Sequence, residues 1–181
     1  MAVNPFDIAD IAMWDSINYF TTDEMSLLDA ACYNNADEVK KILSSGAVNP
    51  DKIPQKGKWS IFQFFVRLGH HDVAVELLKR SEKQHDLDVK GRTLLHLAAL
   101  SGKSMTVKIV LLFKENKGGF ALDAQDYDGN TALHYAKERG HADAAIMLIT
   151  HGANPFIKNG LGLTPKQARQ RAIENNIVFG A

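Results

Sequence analysis

The most constraining feature of this chain is that it repeats itself. Gly91–Leu112 (GRTLLHLAALSGKSMTVKIVLL) lies over Gly129–Ile149 (GNTALHYAKERGHADAAIMLI) with no gap up to the final residue. Thr93 and Thr131 fall in register, Thr164-Pro165 opens a third copy, and Ser60 and Met25 hold the same phase upstream. The start-to-start spacings are 35, 33, 38 and 33 residues. A period of this length marks an array whose units cannot bury their apolar faces alone and must stack on one another.

Each repeated residue has a mechanical task. Thr93 and Thr131 suit helix N-caps, where a hydroxyl accepts an orphan backbone N–H. His96 and His134 stand three residues on, placed to close a capping box. Ala98-Ala99 are small enough for neighbouring helices to approach closely. Gly102 and Gly140 follow the first helix, where a left-handed backbone costs least in glycine. Second helices then carry apolar residues at helical spacing: Val107, Val110 and Leu111, then Ala145, Leu148 and Ile149. Asp126-Tyr127-Asp128-Gly129 and Asp88-Val89-Lys90-Gly91 read as turns between repeats.

A period near 33 with the pattern T-x-L-H-x-A, read here as Thr93-Leu94-Leu95-His96-Leu97-Ala98, resembles the ankyrin-repeat family. The resemblance covers about residues 23–172. It implies an all-α solenoid of about four repeats plus a C-terminal cap helix. The expected repeats are 23–55, 56–87, 88–125 and 126–158, with a partial copy at 159–174 and a tail at 175–181. The first two are degenerate. Leu28 and Gln63 replace the motif histidine, and Phe65-Val66 replace the small pair, so neighbouring helices must separate or the bulk must turn outward. Phe62 and Phe65 are expected in the core.

The longest spacing places an insertion at 113–119 (FKENKGG), expected as a flexible loop. Residues 1–22 read as an acidic amphipathic capping helix, with Asn4 as N-cap and Pro5 at the first helical position. Thr164–Glu174 reads as the closing helix.

Composition narrows the function. The chain carries 21 Lys+Arg against 21 Asp+Glu, with a pI near 7.1. General affinity for nucleic acid or anionic lipid is not favoured. Residues 1–38 hold eight acids and no Lys or Arg, so the remainder is correspondingly basic. Cys32 stands alone, which rules out an intramolecular disulfide and fits a cytoplasmic or nuclear protein. No apolar run reaches the roughly 18–20 residues of a membrane span.

Catalytic chemistry finds no support. Ser101-Gly102-Lys103-Ser104 imitates the end of a phosphate-binding loop, but Leu97 stands where that loop needs glycine. The seven histidines are scattered or belong to the repeat motif, and no metal set emerges. No enzyme, cofactor or metal is expected.

The resemblance implies partner binding on the hairpin tips and the exposed face of the first helices. By phase this face includes Tyr33, Lys56, Lys58, Trp59, Arg67, Lys90, Arg92, Tyr127, Asp128, Asn130, Glu138 and Arg139. Trp, Tyr and Arg are the residues that most often anchor interfaces. Lys56, Lys58, Arg67, Lys90 and Arg92 form a basic mid-section suited to an acidic or phosphorylated segment. The expected function is a monomeric, non-catalytic adaptor or inhibitor that binds another protein. Two alternatives are a bacterial translocated effector acting on a host protein in the host cytosol, and a regulatory subunit or fragment of a larger enzyme.

Overall fold

The computed structural model describes residues 21–53, 60–80, 87–117 and 121–179. The expected helix within residues 1–20, and Lys56, Lys58 and Trp59, lie outside the described residues. Among the described residues every regular element is helical. In chain order these are α1 (Thr22–Cys32), α2 (Ala36–Ser44), α3 (Ile61–Leu68), α4 (His71–Leu78) and α5 (Leu94–Ser101). They continue with α6 (Ser104–Lys117), α7 (Ala132–Glu138), α8 (Ala142–Thr150) and α9 (Pro165–Phe179). The chain is thus the all-α repeat solenoid that the periodicity predicts.

Helices alternate between two layers. In the inner layer α3 packs on α5, α5 on α7 and α7 on α9. In the outer layer α2 packs on α4, α4 on α6 and α6 on α8. One continuous apolar core threads between the layers from Leu27 to Ala153. Each large apolar side chain fully removed from water stabilises the stack by about 1.5–3 kcal/mol. Phe62, Phe65, Leu77, Leu97 and Leu148 are among them.

Capping chemistry sets the inner helices. His96 Nδ1 accepts from the Thr93 N–H at 3.0 Å and lies 2.8 Å from the Thr93 hydroxyl. His134 repeats this with Thr131 at 3.1 and 2.9 Å. Gln63 closes the same box on Ser60, accepting its N–H at 2.9 Å. Gly102 ends α5 with φ of 73°, the left-handed conformation its place after the helix predicts.

Three expectations need correction. The first helix is capped by Thr21 rather than at the in-phase Met25, because Thr21 and Glu24 form a capping box one turn upstream. The insertion does not leave the helix at Phe113. Residues 113–117 extend α6 to Lys117, since nothing before Gly118 breaks a helix. The closing helix runs past Glu174 to Phe179, through much of the segment read as a tail. Of the apolar residues at helical spacing on α8, Ala145 and Leu148 are buried and Ile149 is 43% exposed.

Candidate functional site

The hairpin tips are built from one device. At the third-repeat tip, Asp88 Oδ1 accepts from the backbone N–H of Lys90 and of Arg92, both at 2.9 Å. At the next tip, Asp126 Oδ1 accepts from Asp128 and Asn130 N–H at 3.0 and 2.8 Å. Asn159 Oδ1 does the same for Leu161 and Leu163 at 3.0 and 3.1 Å. The tips then bond to one another. Tyr127 N–H donates to the Lys90 carbonyl at 3.0 Å and Gly160 N–H to the Asp128 carbonyl at 2.8 Å. Asn159 Nδ2 donates to Asn130 Oδ1 at 2.8 Å. The motif histidines fasten the same layer from below. His96 Nε2 lies 2.9 Å from the Asn130 carbonyl and His134 Nε2 lies 3.0 Å from the Leu163 carbonyl. Since each Nδ1 accepts a backbone N–H, each Nε2 carries the proton and donates across the repeat boundary.

Charge at the tips is held internally. Arg92 Nε and Nη2 grip Asp88 Oδ2 at 2.7 and 2.6 Å, and only 11% of the Arg92 side chain is exposed. Burial pushes the Asp88 carboxyl up, but the bonds from Arg92 and the N–H groups of Arg92 and Lys90 outweigh it, so it titrates below its ordinary range. Tyr135 donates to Asp126 Oδ2 at 2.5 Å. Burial first, and then that carboxylate, raise the Tyr135 phenol well above its usual range.

These ties distribute the expected partner-binding residues unevenly. Tyr33, at the end of α1, is 86% exposed. Tyr127 is 76% exposed, with its ring against the preceding tip: a methyl group built on Gly91 would lie 2.6 Å from its Cδ1. Lys90 and Asp128 are exposed on the same row of tips. Asn130 is half-buried and bonded to Asn159. Arg92 closes its own hairpin, so the basic mid-section does not extend through it. Glu138 and Arg139 are exposed at the end of α7, and Arg67 is half-buried in the last turn of α3.

Tyr127, Asp128, Asn130 and Glu138 come together around one groove of about 880 Å³ between the last two tips and α9. Its other wall holds Asn159, Leu161 and Arg171, which the sequence reading did not select. Leu161 is 68% exposed. The means to find it was present, because Leu161 stands in the phase of Lys90 and Asp128 in the truncated last copy. The groove is open and lined by amides, carboxylates and single apolar side chains.

Comparison with known proteins agrees with this architecture. The model of ankyrin repeats (three copies) matches residues 27–118 and 84–159. The ADP-ribosylation factor GTPase-activating protein AGD2 of Arabidopsis thaliana is 31% identical over 113 residues, 62% of this chain and 13% of that protein. Synphilin-1 of Mus musculus is 32% identical over 79 residues, 44% of this chain and 8% of its own length. The inhibitor of Bruton tyrosine kinase of Xenopus laevis is 34% identical over 90 residues, 49% of this chain and 6% of its own length. The chain therefore spans only a small part of the curated relatives it matches. Among the described residues no helix is long and apolar enough to cross a membrane.

Proposed function

Because the chain belongs to the ankyrin-repeat family, a family of protein-binding modules that is generally non-catalytic, we propose that its inner face holds a partner protein as an adaptor or inhibitor does. The observation that carries this reading is the pairing of exposed Tyr127 and Leu161 across one groove beside α9. Tyrosine buries large area and keeps a polar hydroxyl, which makes it a frequent anchor. The frame that presents it is fixed by hydrogen bonds among the tips, so little order has to be gained on binding. Asn159, Asp128 and Glu138 around the groove offer polar groups to an extended backbone.

The test is an affinity capture that compares wild type with the double variant Tyr127→Ala, Leu161→Ala. Both side chains are exposed, so the variant should keep wild-type thermal unfolding. A partner retained by wild type and lost by the variant supports the groove. An identical set of captured proteins sinks it.

A further inference from the structure

At three repeat boundaries a basic side chain of the later repeat reaches back onto the turn glycine of the repeat before it. A methyl group built on Gly69 would lie 2.5 Å from Lys103 Cγ, and one built on Gly102 would lie 2.6 Å from His141 Cε1. At the next boundary a methyl on Gly140 would lie 2.9 Å from Arg169 Nη1. Three successive boundaries thus seat a basic side chain against the C-terminal ends of α3, α5 and α7. His70 does the same one boundary earlier, with Nδ1 3.1 Å from the Ala31 carbonyl.

Two further guanidiniums join this edge. His141 is held below its ordinary range first by burial, which its contact with the Leu100 carbonyl opposes, and then by the nearby charges of Arg139 and Arg67. Arg67 comes from the second repeat and Arg139 from the fourth, so they flank the Gly102 turn from either side. Lys103, Arg139 and Arg169 are exposed, and Arg67 and His141 are half-buried. Acids are present near this edge. Glu138 faces the groove, Asp143 opens α8, and Asp72 lies 3.4 Å from His71.

Helix C-termini attract cations, and that accounts for Arg169, whose Nη1 donates to the Lys137 carbonyl at 3.1 Å. Lys103 over the end of α3 and Arg139 at the end of α7 share that attraction, but both stay exposed and have no ion-pair partner among the described residues. Lys103 covers Gly69 with its hydrocarbon stem and stays exposed, the posture of a side chain that keeps its ammonium in water.

We propose that this edge, centred on Lys103 and Arg139 and flanked by Arg67, His141 and Arg169, docks an Asp/Glu-rich segment of the partner protein. The proposal rests on the inner-face reading above and adds the chemistry of the occupant. It moves the basic surface from the hairpin tips, where Arg92 is paired with Asp88, to the opposite ends of the inner helices. A folded or extended acidic protein segment fits better than a nucleic acid, because a chain with formal net charge +0 projects no broad positive field.

The probe is a fluorescent oligoglutamate peptide, titrated into the full chain and read by anisotropy at low and high salt. The test variant is Lys103→Glu with Arg139→Glu. The charge-matched control is Lys40→Glu with Lys52→Glu, two exposed lysines of the first repeat. We expect saturable binding by wild type and control, and binding at least about tenfold weaker in the test variant. Lys103→Gln with Arg139→Gln, checked for wild-type thermal unfolding, should fall between them. The proposal is overturned if wild type does not bind saturably, if the control weakens as much, or if an oligonucleotide of equal charge binds as tightly. The captured partner separates the two readings. A partner lost with Tyr127→Ala, Leu161→Ala but kept by the Lys103, Arg139 variant overturns the role of the basic edge alone. A partner kept by both variants overturns the inner-face reading as well.

Discussion

The boundary between the first two repeats and the boundaries among the last three solve the same stacking problem with different chemistry. In the second repeat the inner helix fills its contact layer with bulk: Phe62, Phe64, Phe65 and Val66 are all buried, and Phe64 meets Phe65 edge-on at 5.1 Å. In the third and fourth repeats the same layer holds alanine, and Ala98, Ala99 and Ala136 are fully enclosed. There α5, α7 and α9 pack closely side by side, whereas α1 and α3 are not among the helix pairs in close backbone approach. The first boundary is tied at its helix ends, by His70 to the Ala31 carbonyl and by Arg80 to the Leu43 carbonyl and Ser44. The small side chains of the later boundaries bring backbones near enough for ties at the tips as well. His96 and His134 each bridge to the next repeat, and the tips bond to each other. Apolar filling is strong but tolerant of spacing, while hydrogen bonds between repeats fix the register of the tips. The face that presents Tyr127 and Leu161 sits on the fixed half.

The largest break in this comparison should come from Phe65→Ala. Phe65 has no exposure and its ring stacks on His70, which itself reaches the Ala31 carbonyl. Truncation should cost about 3–5 kcal/mol, from lost transfer energy plus the cavity left behind. Urea unfolding gives the size, and amide exchange should show early opening of α1–α4. A cost under about 1 kcal/mol would mean that this boundary is not held by bulk.

His134→Ala should cost less and act at the other end. It leaves the buried Thr131 N–H without its partner, at about 1–3 kcal/mol, and takes the tie between repeats from the Leu163 carbonyl, which keeps the Asn159 N–H. The loss should fall on α9 first, since His134 fastens the last tip. Exchange that accelerates equally in α1–α4 would contradict the division between the two halves.

Acid should sharpen the same contrast. Burial is the first cause holding His96 and His134 below the value of 6.5 that each has in the unfolded chain, and the Asn130 and Leu163 carbonyls oppose it. The unfolded chain therefore takes up these protons first as pH falls. The stability that the neutral imidazoles contribute is complete above about pH 6.5 and declines as pH drops toward their folded values. A protonated Nδ1 also meets the Thr N–H donor to donor. Gln63 holds the equivalent place in the second repeat and does not titrate. Amide exchange at neutral and mildly acidic pH should show loosening in α5–α9 before α1–α4, and uniform loosening would argue against it.

What the sequence made legible follows the same division. Where Thr-x-x-His and the turn glycine recur, helix starts, caps and tips stand where the phase places them. In the first repeat the motif is worn down, and the helix is capped at Thr21 because Thr21 and Glu24 supply a capping box that Met25 and Leu28 cannot. The candidate face was legible by phase but not in its charge state. Arg92 shares a phase with Asn130, yet its pairing with Asp88 is closed within one hairpin. The basic edge was hidden for the opposite reason. Lys103, His141 and Arg169 each act on the repeat before their own, and a single repeat read alone does not show that neighbour.

The smallest effect should be a gain, and it tests whether an apolar solution transfers between the halves. Thr106 on α6 is fully buried, and among the described residues its Oγ1 is the buried side-chain polar atom with no hydrogen-bond partner. Counted from the turn glycine, Thr106 matches Val73 in the second repeat and Ala144 in the fourth, both with no exposure. Valine has nearly the shape of threonine and removes the hydroxyl that burial penalises. A buried unsatisfied hydroxyl costs about 1–3 kcal/mol, part of which backbone contact within the helix offsets. Thr106→Val should therefore raise stability by up to about 1 kcal/mol, seen as a higher urea midpoint with an unchanged slope. A lower midpoint would show that the hydroxyl is bonded in solution. In that case the outer helix of the third repeat, like its inner one, would be held by a polar tie where the second repeat uses valine.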